Sequence, residues 1–154
     1  MASGTIIESV KDAIAVASTI MESAEKEILW LLPPAMLVFG AQYGLDEKSK
    51  MLIEKGGRVR GVTAISGTYR DIVRKHLEIG EDVRHVDQYR GAFMLVADKR
   101  ESISSLNVSI EDLSLDDRVV AFWTDDSSYA EYLIATFEDA WKEAVDAKKR
   151  FQEL

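Results

Sequence analysis

Between residues 27 and 87, three short apolar or β-branched runs alternate with two segments of helical period, and this alternation narrows the possible folds more than any other feature. The runs Glu27–Pro33 (EILWLLP), Arg58–Ile65 (RVRGVTAI) and Glu81–Asp87 (EDVRHVD) read as strands. The stretch Ala35–Lys55 reads as helical, interrupted near Gly44 and ended by Gly56-Gly57. A further helix over Tyr69–Ile79 follows a Ser66-Gly67-Thr68 turn that can cap it. Strands joined through helices favour parallel pairing with crossover connections.

The flanks read differently. Ile6, Val10, Ala13, Ala17, Ile20 and Ala24 share one helical face, and Thr5 with Glu8 forms a capping box, so a first helix is expected there. Gly91–Ala97 and Glu101–Asn107 read as a hairpin turning at Asp98-Lys99, and Arg118–Trp123 as a sixth strand. A long last helix is expected from Ser128 to Gln152, with Tyr129, Leu133, Phe137, Trp141, Ala144 and Val145 on its apolar face and Ser128 with Glu131 as capping box. The order is α-β-α-β-α-β-β-β-β-α in one domain over residues 1–154. The expected fold class is α/β, a mixed, mostly parallel sheet flanked by helices. A chain of 154 residues can bury an ordinary core without staples.

Composition removes several function classes. There are no cysteines, which excludes disulfides, thiolate nucleophiles and Cys-based metal centres and fits a cytoplasmic location. The apolar run after Glu27 is broken by Pro33-Pro34 and is too short to span a bilayer, so no membrane partner is expected; nor is a secretory signal evident. A net charge of −8 opposes direct binding to phosphate backbones, and the basic residues Arg58, Arg60, Arg70, Arg74 and Lys75 read as a solvated mixed-charge face.

Acid–base chemistry near neutral pH would fall to His76 and His85, the two histidines. No G-x-S-x-G elbow is present, and Ser66-Gly67 lacks its first half. His85-x-Asp87 offers two groups on one strand face, yet no third metal ligand stands out; Asp116-Asp117 and Asp125-Asp126 sit where turns and caps need aspartate. Gly56-Gly57 follows a helix and precedes a strand, the wrong context for a phosphate loop. Neither metal nor cofactor is expected. Trp30, Trp123 and Trp141 read as core, or alternatively as the wall of a pocket whose ligand accepts an indole N–H.

Four stretches carry a resemblance: an N-terminal helix running into "EILWLLP", the passage "KGGRVRGV", the hairpin "GAFMLVADKRESI", and "AFWTDDSSYAEYLIATFEDAWKEA" with Phe137 and Trp141 four apart. Together they resemble half of the phospholipase D fold, in particular the non-catalytic phospholipase-D-like domains of archaeal TrmB-type transcription regulators. Enzymes of that family use H-x-K-x-x-x-x-D, with histidine as phosphoryl nucleophile or acid and lysine as phosphate clamp. Aligning Asp98 with the motif's aspartate puts Gly91 at the histidine position and Phe93 at the lysine position. Starting at His85 gives Asp87 and Ala92, and starting at His76 gives Glu78 and Val83, so neither register fits. The resemblance therefore implies a domain without catalytic residues that serves transcriptional or signalling control. Because half-folds of this kind pair, it also implies a homodimer. No room remains beside the sheet for a helix-turn-helix reader.

The expected function is ligand sensing, with a small anionic or hydroxylated effector at the C-terminal ends of the parallel strands. The expected ligand-binding residues are Trp30, Pro34, Ser66, Thr68, Tyr69 and His85. Two alternatives stand beside it: a homodimerising scaffold without a ligand, and an enzyme of unrecognised chemistry using His85 with Asp87 or another carboxylate.

Overall fold

The computed structural model of the chain describes residues 2–88, 93–105 and 118–154. In chain order the elements are β1 (Gly4–Ser9), α1 (Val10–Ser23), β2 (Glu27–Leu31), α2 (Pro34–Gln42), α3 (Leu45–Glu54), β3 (Arg58–Thr63), a 3₁₀ turn (Gly67–Tyr69), α4 (Arg70–Ile79), β4 (Asp82–His85), β5 (Phe93–Ala97), β6 (Glu101–Ser105), β7 (Arg118–Thr124), α5 (Ser127–Glu143), β8 (Val145–Asp146) and α6 (Ala147–Phe151). Among the described residues the strands form one sheet in the order β1-β7-β6-β5-β2-β3-β4-β8.

The expected sheet, mixed and mostly parallel, is corrected to a mixed, mostly antiparallel one. Among the described residues only β2–β3 and β3–β4 pair in parallel, and these are the two pairs joined by crossover helices. The other five pairings, β1–β7, β2–β5, β4–β8, β5–β6 and β6–β7, are antiparallel. The physical reason is that, among the described residues, no helix stands between β4 and β7, whereas helices carry the chain from β2 to β3 and from β3 to β4 as parallel neighbours need.

The edge strand β1 was hidden behind the helical spacing of Ile6 and Val10. Thr5, Ile6 and Ile7 are β-branched neighbours that fit a pleated strand, and the helix begins after them, capped by Ser9 Oγ accepting from Asp12 N at 3.1 Å rather than by Thr5. The last helix is likewise shorter than expected. Asp126, not Ser128, caps α5, and the chain leaves helical geometry at Ala144 to form β8 and α6. The segment Ala35–Lys55 divides at Gly44, whose φ of +77° suits glycine. The hairpin turns where expected, with Asp98 and Lys99 both left-handed (φ +55° and +57°), as a two-residue type I′ turn demands. Gly91, Ala92, Leu106, Asn107 and the Asp116-Asp117 pair lie outside the described residues.

Side-chain alternation divides the core into two layers. Ile28, Trp30, Val59, Val83, Phe93, Leu95 and Ile103 face α1–α4. Leu29, Val62, Met94 and Val96 face Ala130, Leu133, Phe137 and Trp141 of α5. The C-terminal half of α5 is held by cations. Arg60 lies 5.2 Å from the ring centres of Phe137 and Trp141, and Arg84 lies 4.0 Å from that of Trp141 while donating to its carbonyl at 2.9 Å. On the other layer the Trp30 ring occupies the space over its cross-strand partner Gly61, where an added Cβ would sit 1.9 Å from the ring. Among the described residues no helix is long and apolar enough to cross a membrane.

Candidate functional site

The C-terminal ends of β2, β3 and β4 lie side by side, and beyond them come Pro33-Pro34, the 3₁₀ turn that opens α4, and Val86-Asp87. Four of the residues expected to bind ligand belong to the β3–β4 part of this end. Ser66 and Thr68 are exposed, Tyr69 is half-buried, and the Ser66 side chain makes no capping bond, so both hydroxyls are available at the start of the helix. His85 is buried below them. Its Nδ1 accepts from the Ile65 N–H at 2.8 Å, which assigns the ring proton to Nε2, and Nε2 donates to Asp87 Oδ1 at 3.0 Å. The Ile65 carbonyl is held from the other side by Arg150 Nε at 3.1 Å. His85 thus fixes the loop that carries Ser66.

Arg70 follows immediately in the first turn of α4. Sequence reading grouped it with Arg58, Arg60, Arg74 and Lys75 as one mixed-charge face. The structure separates them: Arg58 pairs with Asp82, Arg60 with Glu138, Arg74 with Asp71 and Lys75 with Asp46. The Arg60 hydrogen bond holds the Glu138 carboxyl below its usual range against the opposing effect of burial. Arg70 differs, because it pairs with no carboxylate among the described residues; its Nε is buried without an acceptor, as is that of Arg60, whose terminal nitrogens reach Glu138. Thr63 Oγ1, fully buried at the end of β3 and across from His85, is also without a partner. Nothing in the sequence distinguishes Arg70 from its neighbours, since the difference lies in which carboxylates folding brings near.

The other two expected residues lie outside the β3–β4 part of this end. Pro34 is half-buried as the first residue of α2, where its missing N–H costs nothing. Trp30 is 2% exposed, and its indole N–H donates to Glu81 Oε1 at 2.7 Å, so the partner that a ligand was to supply is a buried carboxylate. The other oxygen of Glu81 bonds His76 Nδ1, making a buried Trp30–Glu81–His76 chain beside a cavity of about 40 Å³. Both histidines are therefore engaged by carboxylates, on α4 and on β4.

Phe93, which the sequence alignment to the phospholipase D motif sets against its lysine, is packed into the α1–α4 layer. Asp98 holds the β5–β6 turn to the start of β2: its carboxylate accepts from the backbone N–H groups of Glu25, Lys26 and Glu27 at 2.9, 2.8 and 3.0 Å. Burial opposes its ionisation, but the hydrogen bonds from Glu27, Glu25 and Lys26 and the charge of Arg100 outweigh it and hold the carboxyl below its usual pKa. Asp125 and Asp126 also have local roles, Asp125 accepting from Ser3 N at 2.6 Å and Asp126 capping α5.

No family model matches the chain, and no curated protein sequence does. Solved structures do. TrmBL2, an archaeal chromatin protein whose structure shows a mode of DNA binding, superposes with a TM-score of 0.71 at 18% identity, over 93% of this chain and 54% of that one. Nuc of Salmonella typhimurium, a phospholipase D family member, gives 0.72 at 12% identity over 95% and 98%. NucT of Helicobacter pylori gives 0.69 at 10% identity over 95% and 99%. The chain thus has the phospholipase-D-like fold that its sequence resembles, and it spans about half the length of the TrmBL2 chain.

Proposed function

We propose that the chain is a non-catalytic regulatory domain that senses a small anionic effector at the strand ends, with Ser66, Thr68 and Arg70 as its first contacts and His85 as the residue that positions their loop. The observation that carries the reading is Arg70: of these five cations it is the one without a carboxylate partner among the described residues, its Nε is buried with no acceptor, and it stands at a helix start that two free hydroxyls precede. Helix N-termini favour anions, and a guanidinium without a carboxylate adds a strong, directional donor. The fold shared with TrmBL2 is consistent with regulation, and DNA binding is a property of that protein.

The absence of catalysis is argued from side chains. Phosphoryl transfer in this fold needs a histidine free to attack and a lysine to clamp. Here glycine and a core phenylalanine hold those positions, and His76 and His85 are each tied to a carboxylate. The test is a thermal-shift titration with inorganic phosphate and a panel of phosphate esters and carboxylates, run beside Arg70→Ala. Stabilisation that depends on Arg70 supports the reading, and a flat response across the panel rejects it. Turnover of a chromogenic phosphodiester by pure protein refutes the non-catalytic part.

A second reading, a homodimer, is favoured by one surface. Ile6, Val120 and Tyr132 are 58%, 56% and 64% exposed. They are joined through Phe122, the cross-strand partner of Ile6, whose ring meets Tyr129 edge-on at 5.4 Å, and Tyr129 lies 6.2 Å from Tyr132. A second copy covering this α5-side face of β1 and β7 would be released by Tyr132→Glu. A monomer mass by light scattering of the unaltered protein rejects the reading.

A further inference from the structure

A groove of about 340 Å³ lies on the α1 side of the sheet, toward the end opposite Ser66 and His85. That volume is in the range of small-molecule sites, ~300–1,000 Å³. It exists because of where small residues fall. The outermost strand β1 puts Thr5 and Ile7 on this face, and α1 opposes them with Ala15, Val16, Thr19 and Ile20. Ala15 and Thr19 are exposed and short, so the wall of the groove stops short of its floor.

Trp123 of β7 forms the floor, half-buried between Thr5 of β1 and Ile103 of β6. Its indole N–H donates to Glu101 Oε2 at 2.9 Å; Ser23 Oγ, which donates to the Ile20 carbonyl at 2.9 Å, lies 3.3 Å from Glu101 Oε1. The indole bond orients the carboxylate and leaves it further acceptor capacity. Among the described residues Glu101 is the one charged residue that lines the groove. The surroundings are otherwise apolar side chains, two threonines and an aromatic ring, in a chain of net charge −8.

We infer that this groove binds an organic cation with an apolar body. The ammonium head meets the Glu101 carboxylate at the edge of the Trp123 ring, and the hydrocarbon lies along Ala15, Val16 and Thr19. Charge pairing acts in a partly desolvated slot, and an anion of the same shape is repelled. The inference is independent of the strand-end effector site, which uses other residues and the opposite charge.

The test is a ¹⁵N-resolved titration of the whole chain, reading the Trp123 indole N–H, assigned with Trp123→Phe. Three probes share one body: hexylammonium, hexanol and hexanoate. Expected are a saturable shift with hexylammonium, an affinity at least about tenfold above that for hexanol, and no binding of hexanoate. Glu101→Gln removes the preference for the ammonium. Thr19→Leu, a substitution at an exposed helix position that fills the slot, abolishes binding of both probes. A preference below about tenfold, or one that survives Glu101→Gln, overturns the charge assignment. No saturable shift with any probe at millimolar concentration overturns the site. Thermal unfolding of each variant confirms that it is folded, and Thr19→Leu decides the matter if Glu101→Gln is not.

Discussion

Asp98→Asn isolates what the aspartate of the motif position does in this chain. The carboxylate receives three backbone N–H groups, all from the strand entry at Glu25–Glu27, more than seventy residues away in sequence. Hydrogen bonds to a charged acceptor contribute about 1.5–3 kcal/mol each and neutral ones about 0.5–1.5, with incomplete additivity. Asparagine keeps one oxygen for Lys26 and Glu27 but loses the charge, and it turns an NH₂ group toward the Glu25 N–H. The side chain is partly solvated, which reduces the loss, so the expected cost is about 2–3 kcal/mol. Backbone strain does not contribute, since asparagine tolerates the left-handed conformation of this position at least as well as aspartate. The pH dependence has a definite sign. The folded pKa is depressed, so the stabilisation is fully present above the unfolded carboxyl value, about 3.9, and is lost as pH falls through the folded value. Asparagine does not titrate, so the gap between the two proteins is widest near neutrality and closes in acid. Urea unfolding followed by circular dichroism between pH 7 and pH 3 measures it. A gap under about 0.5 kcal/mol at pH 7, the usual scatter of surface substitutions, refutes the reasoning. So does a gap that stays undiminished in acid.

Three further outcomes follow from the packing. Gly61→Ala drives a methyl into the pinned Trp30 ring and should cost about 3 kcal/mol, with altered tryptophan emission. Glu81→Ala leaves the Trp30 indole and His76 without their shared buried acceptor, and about 3–5 kcal/mol of stability is expected to be lost in urea unfolding. Arg84→Ala removes the cation over Trp141 and the donor to its carbonyl at the end of α5. A loss of about 1–2 kcal/mol is expected, with Arg84→Lys recovering only part of it because lysine lacks the planar fork.

Much of the candidate site was legible in sequence at the level of position. Ser66, Thr68 and Tyr69 were placed at a strand-to-helix turn because glycine and hydroxyl residues follow a β-branched run, and they stand there. Of the two sequence readings of Trp30, core or pocket wall, its burial fits the first, and it also lines a cavity of about 40 Å³. What decided between them was Glu81, fifty-one residues away, whose carboxylate takes the indole N–H. The Glu101–Trp123 groove left no mark in sequence, because it depends on a helix and an edge strand meeting across small side chains, and β1 itself was read as helix.

The amino-acid order alone determined the local chemistry of this protein: which runs extend, where Gly44 divides the helical segment and where Asp98-Lys99 turns the hairpin. Those are short-range matters of backbone preference and residue identity. Only the tertiary structure decided that β5 returns beside β2, which makes the sheet mostly antiparallel. It alone decided that four cations find carboxylates while Arg70 finds none among the described residues, and that both histidines are tied to acids. Pairings between distant residues are set by how all the layers pack at once, and no local window of sequence contains that information.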